Sequence, residues 1–152
     1  MLNITIHKTD APKEKPAKGT ALGFGNLFTD HMFLMDYSPD QGWHDARIVP
    51  YGPLTLDPAA SVLHYGQACF EGLKAYRGPD GKVRLFRPDC NGRRMMQSMR
   101  RMCMPEIPEE DFVQAIRALC RVEEAWVPDE IGSSLYFRPL AIATTPKLGV
   151  HA

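Results

Sequence analysis

The chain carries no surplus of charge of either sign: 18 Lys and Arg residues stand against 18 Asp and Glu. This removes the electrostatic argument for nucleic acid or an acidic membrane surface as a partner. No apolar run approaches the roughly 20 residues of a membrane-crossing helix. The opening MLNITIHKTD has neither a basic stretch nor a long apolar one, and it has no Arg, so neither a secretory signal nor a transit peptide is expected. The four cysteines, at 69, 90, 103 and 120, form no CxxC pair, and the nearest histidine is His64, five residues before Cys69. Metal-binding and redox motifs are therefore not expected, and the thiols are expected to be reduced in a cytoplasmic protein. What remains is 44% hydrophobic and 24% charged over 152 residues, enough for one soluble domain with a core.

Alternation at Leu2, Ile4 and Ile6 suggests a short strand, and the Pro- and Lys-rich DAPKEKPAKGT after it suggests an exposed linker. ALGFGNLF and HMFLMDY read as strands about a turn at Thr29 and Asp30. YSPDQGWHDARIVPYGPLTLDPAA, dense in Pro, Gly and Asp, reads as mostly loop. SVLHYGQACFEG reads as a short helix, capped by Ser61 and ended by Gly72. LKAYR and KVRLF flank Gly78-Pro79-Asp80-Gly81, whose Pro at the second position and Gly at the fourth suit a type I turn in a β-hairpin. A helix capped by Asp89 follows, with Met95, Met99, Met102 and Cys103 on one face, ending at Met104-Pro105. A second helix starts near Pro108, with Glu109, Glu110 and Asp111 at its positive end and Phe112, Ile116, Leu119 and Cys120 as its stripe. A strand over 135–144 closes the set. The expected fold class is α+β: a mainly antiparallel sheet with two helices on one face.

Three stretches suggest chemistry. In LYFRP, the two-residue period puts Leu135 and Phe137 toward a core and Tyr136 and Arg138 on the other face. A guanidinium within an apolar strand needs an anion. An internal Asp or Glu would serve, and so would the carboxylate of a ligand, gripped by Arg138 and Tyr136 together. In RPDCNGRRM, Arg93 and Arg94 lie early in a helix, where cations are unfavourable unless an anion is bound; one is expected inward and one outward. In HYGQACFEGLKAYR, His64, Tyr65 and Phe70 cluster, and Lys74 suits either a reactive amine or, more simply, a solvated strand lysine. His31, among apolar residues, is expected to be a satisfied histidine rather than a ligand or base.

Together FTDHMF, HYGQACFEGLKAYR, RLFRPDCNGRRM and LYFRP, in this order and at these intervals, resemble the N-terminal part of a branched-chain amino-acid aminotransferase. The resemblance runs from about Gly23 to Val150. It implies a pyridoxal 5'-phosphate enzyme of the D-amino-acid-transaminase-like fold, also called fold type IV, in which this chain is the small domain. By the same resemblance Arg94 holds the cofactor phosphate, with Arg93 its non-specific neighbour. Tyr65, Phe70 and Phe24 wall the pocket for an aliphatic side chain, Tyr136 lies near the substrate carboxylate, and Arg138 receives the distal carboxylate of glutamate. The implied substrates are Leu, Ile, Val and glutamate with their 2-oxo acids, including 2-oxoglutarate.

The resemblance also implies an absence. The family's Schiff-base lysine lies in a C-terminal domain beyond residue 150, and Lys74 matches a position that is not the catalytic one. No catalytic residue is therefore expected in this chain. The expected layout is a tail or linker over 1–20 and the small domain over 21–150, with the lysine-bearing domain of the same enzyme and a homo-oligomer partner as its neighbours. Two other readings stay open: another enzyme of the fold, such as a D-amino-acid transaminase or an aminodeoxychorismate lyase, and a non-catalytic binding domain.

Overall fold

The computed structural model describes residues 1–149; the expected domain end at residue 150 lies outside them. Eight strands and three helices follow one another as β1 (Thr5–Ile6), β2 (His31–Ser38), β3 (Gly42–Pro50), α1 (Ser61–Tyr65), β4 (Ala68–Phe70), β5 (Leu73–Arg77), β6 (Val83–Leu85), α2 (Pro88–Arg101), α3 (Glu109–Val122), β7 (Leu135–Phe137) and β8 (Leu140–Ile142). The fold is α+β, as the sequence suggests. Its strands divide among three small sheets, in the orders β1-β3-β2, β4-β8 and β6-β5-β7. All pairings are antiparallel except that of β1 with β3.

The core forms where α2 and α3 pack on each other and on the third sheet. Met95 and Met99 of α2, Phe112, Ile116 and Cys120 of α3, and Leu73, Ala75 and Phe137 of the sheet are among its buried members. Three-and-four spacing on the helices and two-residue spacing on the strands bring these side chains inward. No helix among the described residues is long and apolar enough to cross a membrane.

The structure corrects several expectations. Residues 21–28 form no strand, because Gly23 and Gly25 hold φ of +63° and +79° on either side of Phe24, which breaks an extended run. The stretch 37–60 read as mostly loop also holds strand β3, where Ala46 and Ile48 alternate into the interior and Pro50 closes the strand opposite His31. The helix at Ser61 lasts only to Tyr65. Gly66, left-handed at φ +62°, ends it, and Ala68–Phe70 becomes strand β4. Ala60, not Ser61, precedes the helix, and the Ser61 hydroxyl donates instead to the Thr145 carbonyl at 3.2 Å. The predicted strand over 135–144 is two strands in two sheets, divided at Arg138 and Pro139. At the second helix, Pro88 takes the first position and Arg87 the cap, so Asp89 lies inside, while Cys103 lies beyond the helix and is exposed.

The N-terminal segment is tied down by buried polar groups. His31, the satisfied histidine foreseen above, faces the Glu123 carboxylate through Nδ1 and accepts from the Thr9 amide at Nε2, 2.9 Å. Asp30 accepts from the Lys13 amide at 2.8 Å and from the Trp126 indole at 2.9 Å. These hydrogen bonds, with a weaker charge attraction to Lys15, overcome burial and hold the Asp30 carboxyl below its ordinary range.

Met99, 1% exposed, and Cys103 separate the core from the surface of the predicted stripe. Met99→Ala is expected to cost about 2–5 kcal/mol in urea unfolding. Cys103→Ala should change stability by less than about 0.5 kcal/mol.

Candidate functional site

The division of 135–142 into two strands builds the site. In β7, Tyr136 lies opposite Lys74 of β5, while Phe137 lies opposite Leu73 in the core. In β8, Leu140 lies opposite Phe70 of β4. Arg138 occupies the crossing between the sheets, and its guanidinium lies over the Phe70 ring, 4.3 Å from the centroid. Its Nε donates to the Tyr136 hydroxyl at 3.0 Å. Phe24 meets the other side of Tyr136 edge-on, with ring centroids 5.0 Å apart. Phe24, Phe70, Tyr136 and Arg138 are thus brought together on one surface. Among the described residues no carboxylate pairs with Arg138, so the internal ion pair that the sequence left open is not formed.

Tyr65 is not among these clustered residues. Tyr65 ends α1, and its hydroxyl accepts from the Gly149 amide at 2.6 Å. Phe70 does not share a helix with it, as the sequence had suggested, but sits on β4. Lys74 is exposed on β5, the solvated strand lysine of the simpler reading.

Arg94 lies in the second turn of α2 and reaches across to Glu71, in the bend between β4 and β5. Its Nε donates to Glu71 Oε1 at 2.5 Å and its Nη2 to Oε2 at 2.7 Å. Arg93 instead pairs with Asp89 and Glu109 on the surface. The inward and outward split needs correction. Arg94 is the more exposed side chain, 66% against 52%, and what distinguishes it is that its partner Glu71 is buried at 2%. Burial alone would raise the Glu71 carboxyl, but the hydrogen bonds from Arg94 and Asn91 and the charge of Arg94 outweigh it and lower it below its ordinary value. The neighbouring Cys69 thiol is pushed up by burial and by Glu71, which makes it a poor nucleophile.

Sequence reasoning missed Glu71, Asn91 and Gly72. Asn91 Nδ2 donates to Glu71 Oε2 at 2.8 Å and to the Gly72 carbonyl at 3.2 Å. A Cβ on Gly72 would stand 2.4 Å from the Tyr136 hydroxyl oxygen, so the tyrosine ring lies directly against that bare backbone. A signal for Glu71 was present. A carboxylate within ACFEGLKA requires a partner by the same argument that singled out Arg138.

Because the folded Glu71 carboxyl is lowered below the unfolded value, its ion pair stabilises fully above that value and is lost as pH falls through the folded one. Native protein should therefore exceed Glu71→Gln in urea stability by a constant margin above about pH 5, with the margin shrinking toward about pH 3.5. A margin that does not change over this range would mean that folding leaves the Glu71 carboxyl unshifted.

No family model matches the chain. It is 58% identical over 149 residues to the branched-chain-amino-acid transaminase 1 of Bacillus subtilis, an alignment covering 98% of this chain and 42% of that protein. It is 53% identical over 154 residues to the branched-chain-amino-acid aminotransferase of Mycolicibacterium smegmatis, covering 99% of this chain and 42% of the relative. The mitochondrial enzyme of Mus musculus is 48% identical over 148 residues, covering 97% and 38%. Among solved structures, the branched-chain amino acid aminotransferase of Escherichia coli aligns with a TM-score of 0.57 at 23% identity, over 68% of this chain and 33% of that one, which speaks to the fold alone. Along nearly its whole length the chain is related to the branched-chain-amino-acid aminotransferases, and it spans about two fifths of the relatives it matches.

Proposed function

We propose that residues 21–150 are the small domain of a branched-chain-amino-acid aminotransferase that uses pyridoxal 5'-phosphate, acts in the cytoplasm and works as a homo-oligomer. In this reading the chain binds and orients, and the lysine that carries the cofactor belongs to another part of the enzyme. When bound, pyridoxal phosphate takes up the amino group of one substrate and returns it to the 2-oxo acid of the next. Arg94 suits its phosphate. Glu71 engages Nε and one side of Nη2, and the remaining donors of an otherwise exposed guanidinium are turned outward. Phe24, Phe70 and Tyr65 would form the wall for the aliphatic side chains of Leu, Ile and Val, and Tyr136 would lie near the substrate carboxylate.

The observation that carries the reading is Arg138. Its guanidinium is held by two aromatic rings and a phenol hydroxyl, without a carboxylate among the described residues. Aromatic faces hold a cation without neutralising it. Such an arginine can lie flat against an apolar side chain and also accept the distal carboxylate of glutamate, which is what one pocket for both donors requires.

The test replaces the matching stretch of the Bacillus subtilis transaminase with this chain and compares leucine with glutamate as amino donor. Arg138→Leu leaves the distal carboxylate of glutamate unpaired, a loss of about 3–5 kcal/mol at a dry site. Leucine has no such group. The ratio of kcat/KM should move toward leucine by about two orders of magnitude or more. An equal fall for both donors would make Arg138 a structural residue and remove the reading's main support.

A further inference from the structure

The pair between Arg94 and Glu71 is built unlike its neighbours on α2. Arg93 with Asp89, and Arg100 with Glu106, place both partners at least partly in solvent, at 52% with 44% and 68% with 31% exposure. Glu71 is 2% exposed and must be matched entirely by protein groups. Arg94 supplies two hydrogen bonds and Asn91 a third, and the Gly72 amide adds a long one at 3.3 Å. The backbone of Glu71 is fixed as well, since its amide donates to the Pro139 carbonyl at 2.9 Å. A carboxylate held at this many points fixes the plane of the guanidinium that grips it bidentately. Arg94 also lines a shallow, open groove of about 470 Å³, together with Gln97, Ser98 and Arg101 of the same helix and Ala68 and Cys69 of β4.

We propose that Glu71, seated by Asn91, is a positioning residue that aims the free edge of Arg94 at a phosphate-bearing ligand. The proposal rests on the assignment of Arg94 as the phosphate arginine. Two effects of Glu71 oppose each other. Its negative charge weakens the attraction of the site for an anion, whereas its geometry removes the rotamer freedom that Arg94 would otherwise lose on binding. The phosphate would lie beyond the guanidinium, on its wet side, where water and the arginine itself screen the carboxylate, so orientation outweighs repulsion. A carboxylate acting only as counter-ion would have the opposite sign.

The experiment titrates the full 152-residue chain with inorganic phosphate and follows the arginine side-chain signals by nitrogen-15 NMR. In the native chain the Arg94 Nε–H should exchange slowly and its signal should move with phosphate. Glu71→Gln should weaken phosphate binding about fivefold or more, and Asn91→Ala, which changes no charge, about two- to fivefold, each with faster Nε–H exchange. Thermal unfolding checks that both variants are folded. If Glu71→Gln does not fold, Asn91→Ala carries the test alone. Unchanged or tighter phosphate binding in the folded variants, while Arg94→Ala weakens it, overturns the positioning role and leaves the arginine assignment standing. Phosphate binding that survives Arg94→Ala overturns that assignment itself, and this proposal with it.

Discussion

Pro139 has no amide hydrogen to give, and an antiparallel run that starts at Leu135 cannot pair through it. The chain therefore leaves β5 after Phe137 and joins β4 at Leu140. Everything around the candidate site follows from that exchange of partners. The crossing residue, Arg138, lies over Phe70 of one sheet while bonding to Tyr136 of the other. The Pro139 carbonyl, released from ladder pairing, takes the amide of Glu71 and so fixes the residue that holds Arg94. Two arginines that face different anions in the proposed function are thus placed by one interruption of one strand.

The two long helices and the hairpin were legible in the sequence because their signals are local. Met95 and Met99, and Phe112, Ile116 and Cys120, repeat at helical spacing and are buried. Gly78, Pro79, Asp80 and Gly81 form a turn, with the Gly81 amide donating to the Gly78 carbonyl at 2.9 Å. The side-by-side placement of Tyr136 and Arg138 was legible too, although the period argument behind it assumed a continuous strand. Strand β3 was missed because its turn-forming residues outweighed the alternation of Ala46 and Ile48. Its irregularity at Asp45, where φ is +53° and one extra residue bulges opposite β2, blurs the period further. Glu71 was missed for a different reason. Its partner lies 23 positions away, and no local pattern joins the two.

Among the described residues three acidic side chains are buried, Asp30, Glu71 and Glu123, and they divide between two tasks. Glu123 is 2% exposed, and with His31 and the Asp30 amide it anchors the chain ahead of β2. Its partners are also buried, so the arrangement is closed. Glu71 is equally buried but holds a side chain that reaches solvent. A closed pair can stabilise the fold and nothing more. An open one passes the rigidity of the interior to a charged group at the surface, which is what a binding site needs.

Gly72 separates the two arginine sites by the width of a backbone. Its carbonyl accepts from Asn91 on the Arg94 side, and the Tyr136 ring fills the space of its absent side chain on the other. Tyr136 cannot easily retreat, since Phe24 packs on it and Arg138 holds its hydroxyl. Positions 72 and 136 are thus sterically coupled. Even a methyl group at 72 requires a smaller or differently placed residue at 136, so in the proposed function the pocket wall is shaped from the backbone behind it.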